Sequence, residues 1–163
     1  MSSLLELLKG REVRHFEPGQ DILQQGDTTA QLYVLVEGAV DVLKDDVLVG
    51  AASQPGVVFG EMAMLLGGAH TATVRATKAC SFHVIANPRE FLRANPDACL
   101  FVSELLARRL DSLNRYLVDV KHQFEGHDHI GMVDKVLEAL MHRQPRERKR
   151  PSESTLRHGE QAD

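Results

Sequence analysis

Between residues 13 and 86 the chain never sustains apolar character for more than a few residues before a turn signal interrupts it. Pro18-Gly19, Gln25-Gly26-Asp27, Glu37-Gly38, Lys44-Asp45-Asp46 and Pro55-Gly56 cut the segment into short lengths. Proline removes a donor and fixes φ, and glycine frees it, so each break marks a change of direction. The runs between the breaks, at 32–36, 40–43, 47–49, 71–76 and 81–85, are rich in β-branched residues. Such residues suit a pleated surface. Many short strands at this spacing predict an antiparallel sandwich or jelly-roll barrel.

One stretch breaks the β texture. Glu61-Met62-Ala63-Met64-Leu65-Leu66 contains strong helix formers and no β-branched residue, follows Phe59-Gly60 and ends at Gly67-Gly68. One or two helical turns set between strands are expected there. A second short helix is expected at the start, capped by Ser2 or Ser3, with Leu4, Leu5 and Leu8 on one face and Gly10 closing it.

After Asn87-Pro88 the pattern turns helical. Asn95 is a good cap, Pro96 a good first helical residue, and Asp97 complements the dipole. Cys99, Ser103, Leu106, Leu110, Leu113, Leu117, Val120 and Phe124 then recur at steps of four and three, an a/d seam. Arg108, Arg109, Asp111, Arg115, Asp119 and Lys121 fall on the remaining surface. A helix of about 30 residues is about 45 Å long, more than a small barrel can cover. A homodimer through the 99–124 helix is therefore expected. Asp128 opens a last helix bearing Ile130, Val133, Val136, Leu137, Leu140 and Met141, and from Pro145 the sequence is polar and aperiodic. The expected organisation is a barrel with its N-terminal helix at 1–94, a dimerisation helix at 95–125, a short helix at 126–144 and a disordered tail at 145–163.

Composition narrows the function. The 163 residues carry a net charge of −4, which argues against a general binder of nucleic acid or membranes. No apolar stretch approaches a membrane span and no leader is visible, so a cytoplasmic location is expected. Cys80 and Cys99, the two cysteines, lie in apolar sequence and read as buried free thiols.

The chemistry concentrates in Phe59-Gly60-Glu61-Met62-Ala63-Met64 and Ala69-His70-Thr71-Ala72-Thr73-Val74. A glycine ahead of a short helix lets the backbone approach a ligand. The first amides of that helix lack partners, and with the dipole they attract an anion. Glu61 can accept from a sugar hydroxyl, and Thr71 and Thr73 can donate to phosphate oxygens. This set suits a ribose phosphate.

The segment resembles the phosphate-binding cassette of the cyclic-nucleotide-binding domain family, Phe-Gly-Glu-aliphatic-Ala-Leu, a short loop, then Arg-Thr/Ser-Ala-Thr/Ser-Val. Phe16-Glu17-Pro18-Gly19-Gln20-Asp21-Ile22, Gln25-Gly26-Asp27 and Tyr33-Val34-Leu35-Val36-Glu37-Gly38 resemble the family's earlier turns and hairpin. Asn95-Pro96-Asp97 and Ala107-Arg108-Arg109-Leu110 resemble the dimer helix of its catabolite-activator group. The resemblance implies a jelly-roll β-barrel with flanking helices and a long C-terminal helix. It implies a cyclic nucleotide (cAMP or cGMP) as regulatory ligand, with no cofactor and no catalysis. It implies that Phe59, Gly60, Glu61, Met62 and Ala63 hold ribose and phosphate, joined by His70, Thr71 and Thr73, while the long helix closes over the base.

Two positions depart from the pattern. His70 stands where the family has an arginine that neutralises the phosphate. Histidine lacks the forked geometry and permanent charge of arginine. Losing a charged hydrogen bond, worth about 1.5–3 kcal/mol, weakens binding by roughly ten- to a hundred-fold. A bound phosphate favours the charged ring, so affinity is expected to rise toward pH 6. On the long helix, Leu113-Asn114 replace a hydroxyl pair that reads adenine, and of the two only Asn114 can hydrogen-bond a purine. Arg75 shares the strand face of Thr71 and Thr73 but sits about 13 Å from Thr71 along it, too far to replace the charge.

Weaker signals remain. His127-Asp128-His129 resembles half of a metal cluster, but Asp128 serves more simply as a cap. No His-x-His occurs in the β region, against a cupin. The basic segment 143–150 reads as a solvated tail. Only 37 residues follow Gly126, too few for a helix-turn-helix domain, so no DNA binding is expected. The expected role is a non-enzymatic sensor signalling through a dimer to an unidentified partner protein. The alternative keeps the fold as an interaction module without nucleotide binding.

Overall fold

The computed structural model describes residues 4–123 and 130–142. The expected tail at 145–163, the basic segment 143–150, the His127-Asp128-His129 cluster, and the caps at Ser2, Ser3 and Asp128 lie outside them. The element order is α1 (Leu4–Leu8), β1 (Val13–Phe16), β2 (Asp21–Leu23), β3 (Leu32–Glu37), β4 (Val40–Lys44), β5 (Val47–Ala52), β6 (Val58–Phe59), α2 (Glu61–Leu66), β7 (Thr73–Ala76), β8 (Cys80–Ile85), α3 (Pro88–Ala94), α4 (Pro96–Gln123) and α5 (Ile130–His142). The strands form two antiparallel four-stranded sheets, ordered β1-β8-β3-β6 and β2-β7-β4-β5. This is the jelly-roll arrangement of short strands with helices at its flanks. The chain forms two compact units, with the boundary between Leu110 and Asp111 within α4.

In the first unit, β3 shows how one strand serves two cores. Successive side chains on a strand point to opposite faces. Tyr33 and Leu35 join Ile22, Leu23, Val40, Phe59, Val74 and Phe82 in one apolar cluster. Leu32 and Val34 join a second, with Leu4, Leu8, Met64, Phe91, Ala98 and Val102 from the helices. The chain has no tryptophan, and Phe82 centres the first cluster. Its ring meets Phe16, Tyr33 and Phe59 edge-on at 5.7, 6.4 and 6.2 Å between centroids.

Several local expectations meet a different outcome. The segment expected as strand from Thr71 begins only at Thr73. The His70 amide donates to the Asp27 carbonyl at 2.8 Å, and the His70 carbonyl accepts from the Gly26 amide at 2.9 Å. Those bonds go to a turn, so Thr71 and Ala72 stand outside the ladder. The Asn95 carbonyl accepts the first bond of α4 from Cys99 at 3.1 Å. Its side-chain amide instead donates to the Phe91 carbonyl at 2.8 Å, closing α3. Cys80 is buried, but Cys99 is exposed, which corrects the reading of two buried thiols. Within the first unit the stripe of α4 that meets the helical core is Ala98, Phe101, Val102, Leu105 and Leu106. The expected seam shares Leu106 with this stripe, while its Cys99, Ser103 and Leu110 are exposed.

The second unit contains the rest of α4 from Asp111 and the helix α5. Leu113, Tyr116, Val118, Val136 and Leu140 are exposed there. No helix among the described residues is long and apolar enough to cross a membrane.

Candidate functional site

The strongest local constraint is at Gly60. Its φ of +88° is the left-handed region, and a Cβ placed there would stand 2.4 Å from the Gln31 carbonyl oxygen. Only glycine lets the chain pass so close to that carbonyl and then turn directly into α2. The Gly60 carbonyl accepts from the Met64 amide at 3.1 Å, beginning the helical ladder. The amides of Glu61, Met62 and Ala63 precede that ladder, and no side chain caps the helix. At the other end, Gly67 turns left-handed with φ of 66°, and its amide donates to the Ala63 carbonyl at 2.8 Å. Arg89 of α3 donates to the Met64 carbonyl at 2.6 Å and to that of Leu65 at 3.3 Å. A cation on the last carbonyls complements the helix dipole and holds α2 from behind.

A cavity of about 360 Å³ opens in front of α2. It falls within the size range of small-molecule sites, about 300–1,000 Å³. Phe59, Gly60, Glu61, Met62, Ala63, His70 and Thr71 line it, with Val42, Val49, Ala51, Val57 and Val74 as apolar walls. The β4–β5 hairpin that carries Val42 and Val49 turns at Asp45 and Asp46, with φ of 50° and 61°. Gln25 holds that turn, donating from Nε2 to Asp45 Oδ1 at 2.7 Å and accepting from the Asp45 amide at 2.9 Å.

Glu61 is 3% exposed, too buried for an unpaired carboxylate. Arg109 of α4 supplies the partner: Nη1 donates to Glu61 Oε1, and Nη2 donates to the Val58 carbonyl at 3.0 Å. Arg109 lines the cavity, whereas the sequence pattern placed it on the outer surface of the helix. Its contact with Glu61 spans 48 residues, and no local periodicity carries it.

Opposite, His70 is 5% exposed, with Nε2 3.0 Å from Thr29 Oγ1. Thr73 does not line the cavity; its hydroxyl oxygen accepts from the Gln25 amide at 3.0 Å. Arg75 is held by Asp21, its Nε at 2.6 Å from Oδ1 and its Nη2 at 3.2 Å from Oδ2. Those hydrogen bonds, and then the carboxylate charge, raise the Arg75 pKa still further. Asn114 belongs to the second unit, where its side-chain oxygen is buried without a hydrogen-bond partner. Among the described residues no group of three or more His, Cys, Asp or Glu is arranged to hold a metal.

Residues 13–93 match the family model for the cyclic nucleotide-binding domain. A cAMP-dependent protein kinase regulatory subunit of Yarrowia lipolytica is 36% identical over 74 residues, 45% of this chain and 20% of that protein. Patatin-like phospholipase domain-containing protein 7 of Rattus norvegicus is 31% identical over 121 residues, 68% of this chain and 9% of that protein. The solved structure of the Thermus thermophilus catabolite activator protein is similar with a TM-score of 0.59 and 25% identity, over 67% of this chain and 54% of that one. This chain spans a fifth or less of the length of those two curated relatives. With a glycine-led turn facing an apolar cavity, and the family pattern running through both sheets, the chain belongs by its residues 13–93 to the cyclic nucleotide-binding domain family.

Proposed function

We propose that this chain is a regulatory, non-enzymatic module that takes a cyclic nucleotide, cAMP or cGMP, in the cavity before α2. The observation that carries the reading is the start of α2. Gly60 brings three uncapped amides to the cavity wall, and Glu61 and Arg109 stand beside them as a paired acceptor and donor. A cyclic phosphate accepts from the amides of Glu61, Met62 and Ala63 and from His70 and Thr71. The ribose hydroxyl donates to Glu61, whose carboxylate keeps a second oxygen available beside its Arg109 bond. The apolar walls cover the sugar and the base.

Binding acts on α4 through Arg109, because a ligand that takes up Glu61 competes for the bond that ties α4 to α2. A homodimer along α4 and a partner protein in the cytoplasm complete the proposed output. Exposed Leu110 and Leu113 on that helix support the dimer. The catabolite activator protein and the kinase regulatory subunit are relatives that support a regulatory role.

A second reading has a specific observation in its favour. The position where the family places arginine holds a buried His70, and Arg75, the nearest substitute in sequence, is held by Asp21. On this reading the fold serves as an interaction module. Calorimetric titration with cAMP and cGMP at pH 6 and pH 8 separates the two. The sensor reading requires binding that tightens at pH 6. It also requires stabilisation by about 2.7 kcal/mol when ligand stands at a hundred times its dissociation constant. Absence of binding at either pH, with binding gained in His70→Arg, supports the interaction module.

A further inference from the structure

We infer that Thr29 is a positioning residue for the ligand phosphate: its hydroxyl holds Nε2 of His70, so that Nδ1 is the nitrogen that meets the anion. The inference rests on the nucleotide reading above and adds to it a residue that the cassette motif does not include.

Three observations meet at this ring. Its Nε2 lies 3.0 Å from Thr29 Oγ1, across 41 residues of sequence. Its Cε1 edge faces Gly60, 3.6 Å from where a Cβ would stand on that residue. Its own backbone is fixed at both ends, the amide to Asp27 and the carbonyl to Gly26. The ring is therefore set against the start of α2, and Nδ1 is the nitrogen without a hydrogen bond among the described residues. Thr29 lies in the same connection between β2 and β3 as Gly26 and Asp27, so one loop fixes both the backbone and the ring of His70.

A threonine hydroxyl both donates and accepts, and this decides what His70 can do. When the ring is neutral, the hydroxyl donates to Nε2 and Nδ1–H points to the ligand. When the ring is charged, Nε2–H donates to Oγ1, and Nδ1–H still points to the ligand. Without the hydroxyl the charged ring carries a buried donor with no acceptor, a larger penalty than the neutral ring suffers. The ionisable groups around the ring are few. Glu61 and Arg109 face the same cavity and pair with each other, and Asp27 meets His70 through its backbone carbonyl. Thr29 is thus the side chain that binds the ring directly.

The test compares cAMP titrations of wild type, Thr29→Val and Thr29→Ser between pH 6 and pH 8. Thr29 is exposed, so these variants leave the apolar clusters intact. Wild type and Thr29→Ser are expected to gain affinity on going to pH 6. Thr29→Val is expected to lose about tenfold at pH 6 and little at pH 8, the difference between a charged and a neutral donor. Nitrogen-15 spectra of the ligand-free His70 ring give a second reading. The Nε2 resonance is expected to shift in Thr29→Val and to stay in place in Thr29→Ser. Equal pH profiles in wild type and Thr29→Val, with the nucleotide bound in both, overturn the role of Thr29 alone. No binding by the wild type at any pH overturns the nucleotide reading and the role of Thr29 with it.

Discussion

The two walls of the cavity are built by different means. The α2 wall is made of backbone: Gly60 in a left-handed conformation, three amides at a helix start, and two closures behind them from Gly67 and Arg89. The facing wall is made of side chains: His70 with its ring on Thr29, and Thr71 just ahead of β7. Backbone geometry admits few residue changes, whereas a side-chain wall can exchange arginine for histidine and keep its fold. The α2 wall is therefore the side of the cavity that substitution disturbs most, and the facing wall the side on which residues can be exchanged.

If that contrast is right, the largest effect belongs to the backbone wall. Gly60→Ala is expected to destabilise the first unit by about 2–4 kcal/mol, combining left-handed strain with the contact on Gln31. Urea denaturation would show it as a lower midpoint at unchanged slope. A midpoint within error of wild type would mean that α2 can shift freely, and the contrast would fail.

Next comes the pair that links this wall to α4. Arg109→Ala leaves Glu61 buried without its cation, and about 1–3 kcal/mol of stability is expected to be lost, less than for a fully buried pair because Arg109 is partly solvated. Glu61→Gln in the same background removes the stranded charge and is expected to restore part of the loss. A double-mutant cycle measures this coupling, and additive losses would show that the two side chains act independently.

The side-chain wall is expected to answer in affinity rather than stability. His70→Arg should tighten cAMP binding by roughly ten- to a hundred-fold and make it insensitive to pH between 6 and 8. Calorimetry on the variant tests both halves. An affinity unchanged by arginine would place the phosphate away from this residue. The smallest effect belongs to Arg75, which is bound to Asp21 outside the cavity lining. Arg75→Gln should leave the cAMP titration unchanged, and a measurable weakening would give this cation a part in binding that its present partner denies it.

These residues also mark how far the sequence alone could be read. The turns at Pro18-Gly19, Glu37-Gly38 and Asp45-Asp46 announced the strands, because turn chemistry acts within a few residues. The helix at Glu61 was legible for the same reason, being bounded by Gly60 and Gly67 and free of β-branched residues. Arg109 was not. Its role depends on which face α4 turns to the sandwich, and that phase is set by Ala98 and Val102 packing into a core that joins Leu4 and Leu8 to residues almost a hundred positions later. Thr71 and Thr73 looked equivalent on a strand face. The bonds between His70 and the turn at Gly26-Asp27 delay the strand and separate the two. Thr29 had no motif to single it out, because its contact with His70 exists only once β2 and β7 are paired.

The proposed function depends on backbone donors at the start of α2 taking up an anion. Amide resonances followed during a cAMP titration read this directly. The expected result is that the amides of Glu61, Met62 and Ala63 shift together with the His70 ring, while those of β1 stay in place. Binding that moves other amides and leaves these three unchanged, or no response at millimolar nucleotide, would contradict it.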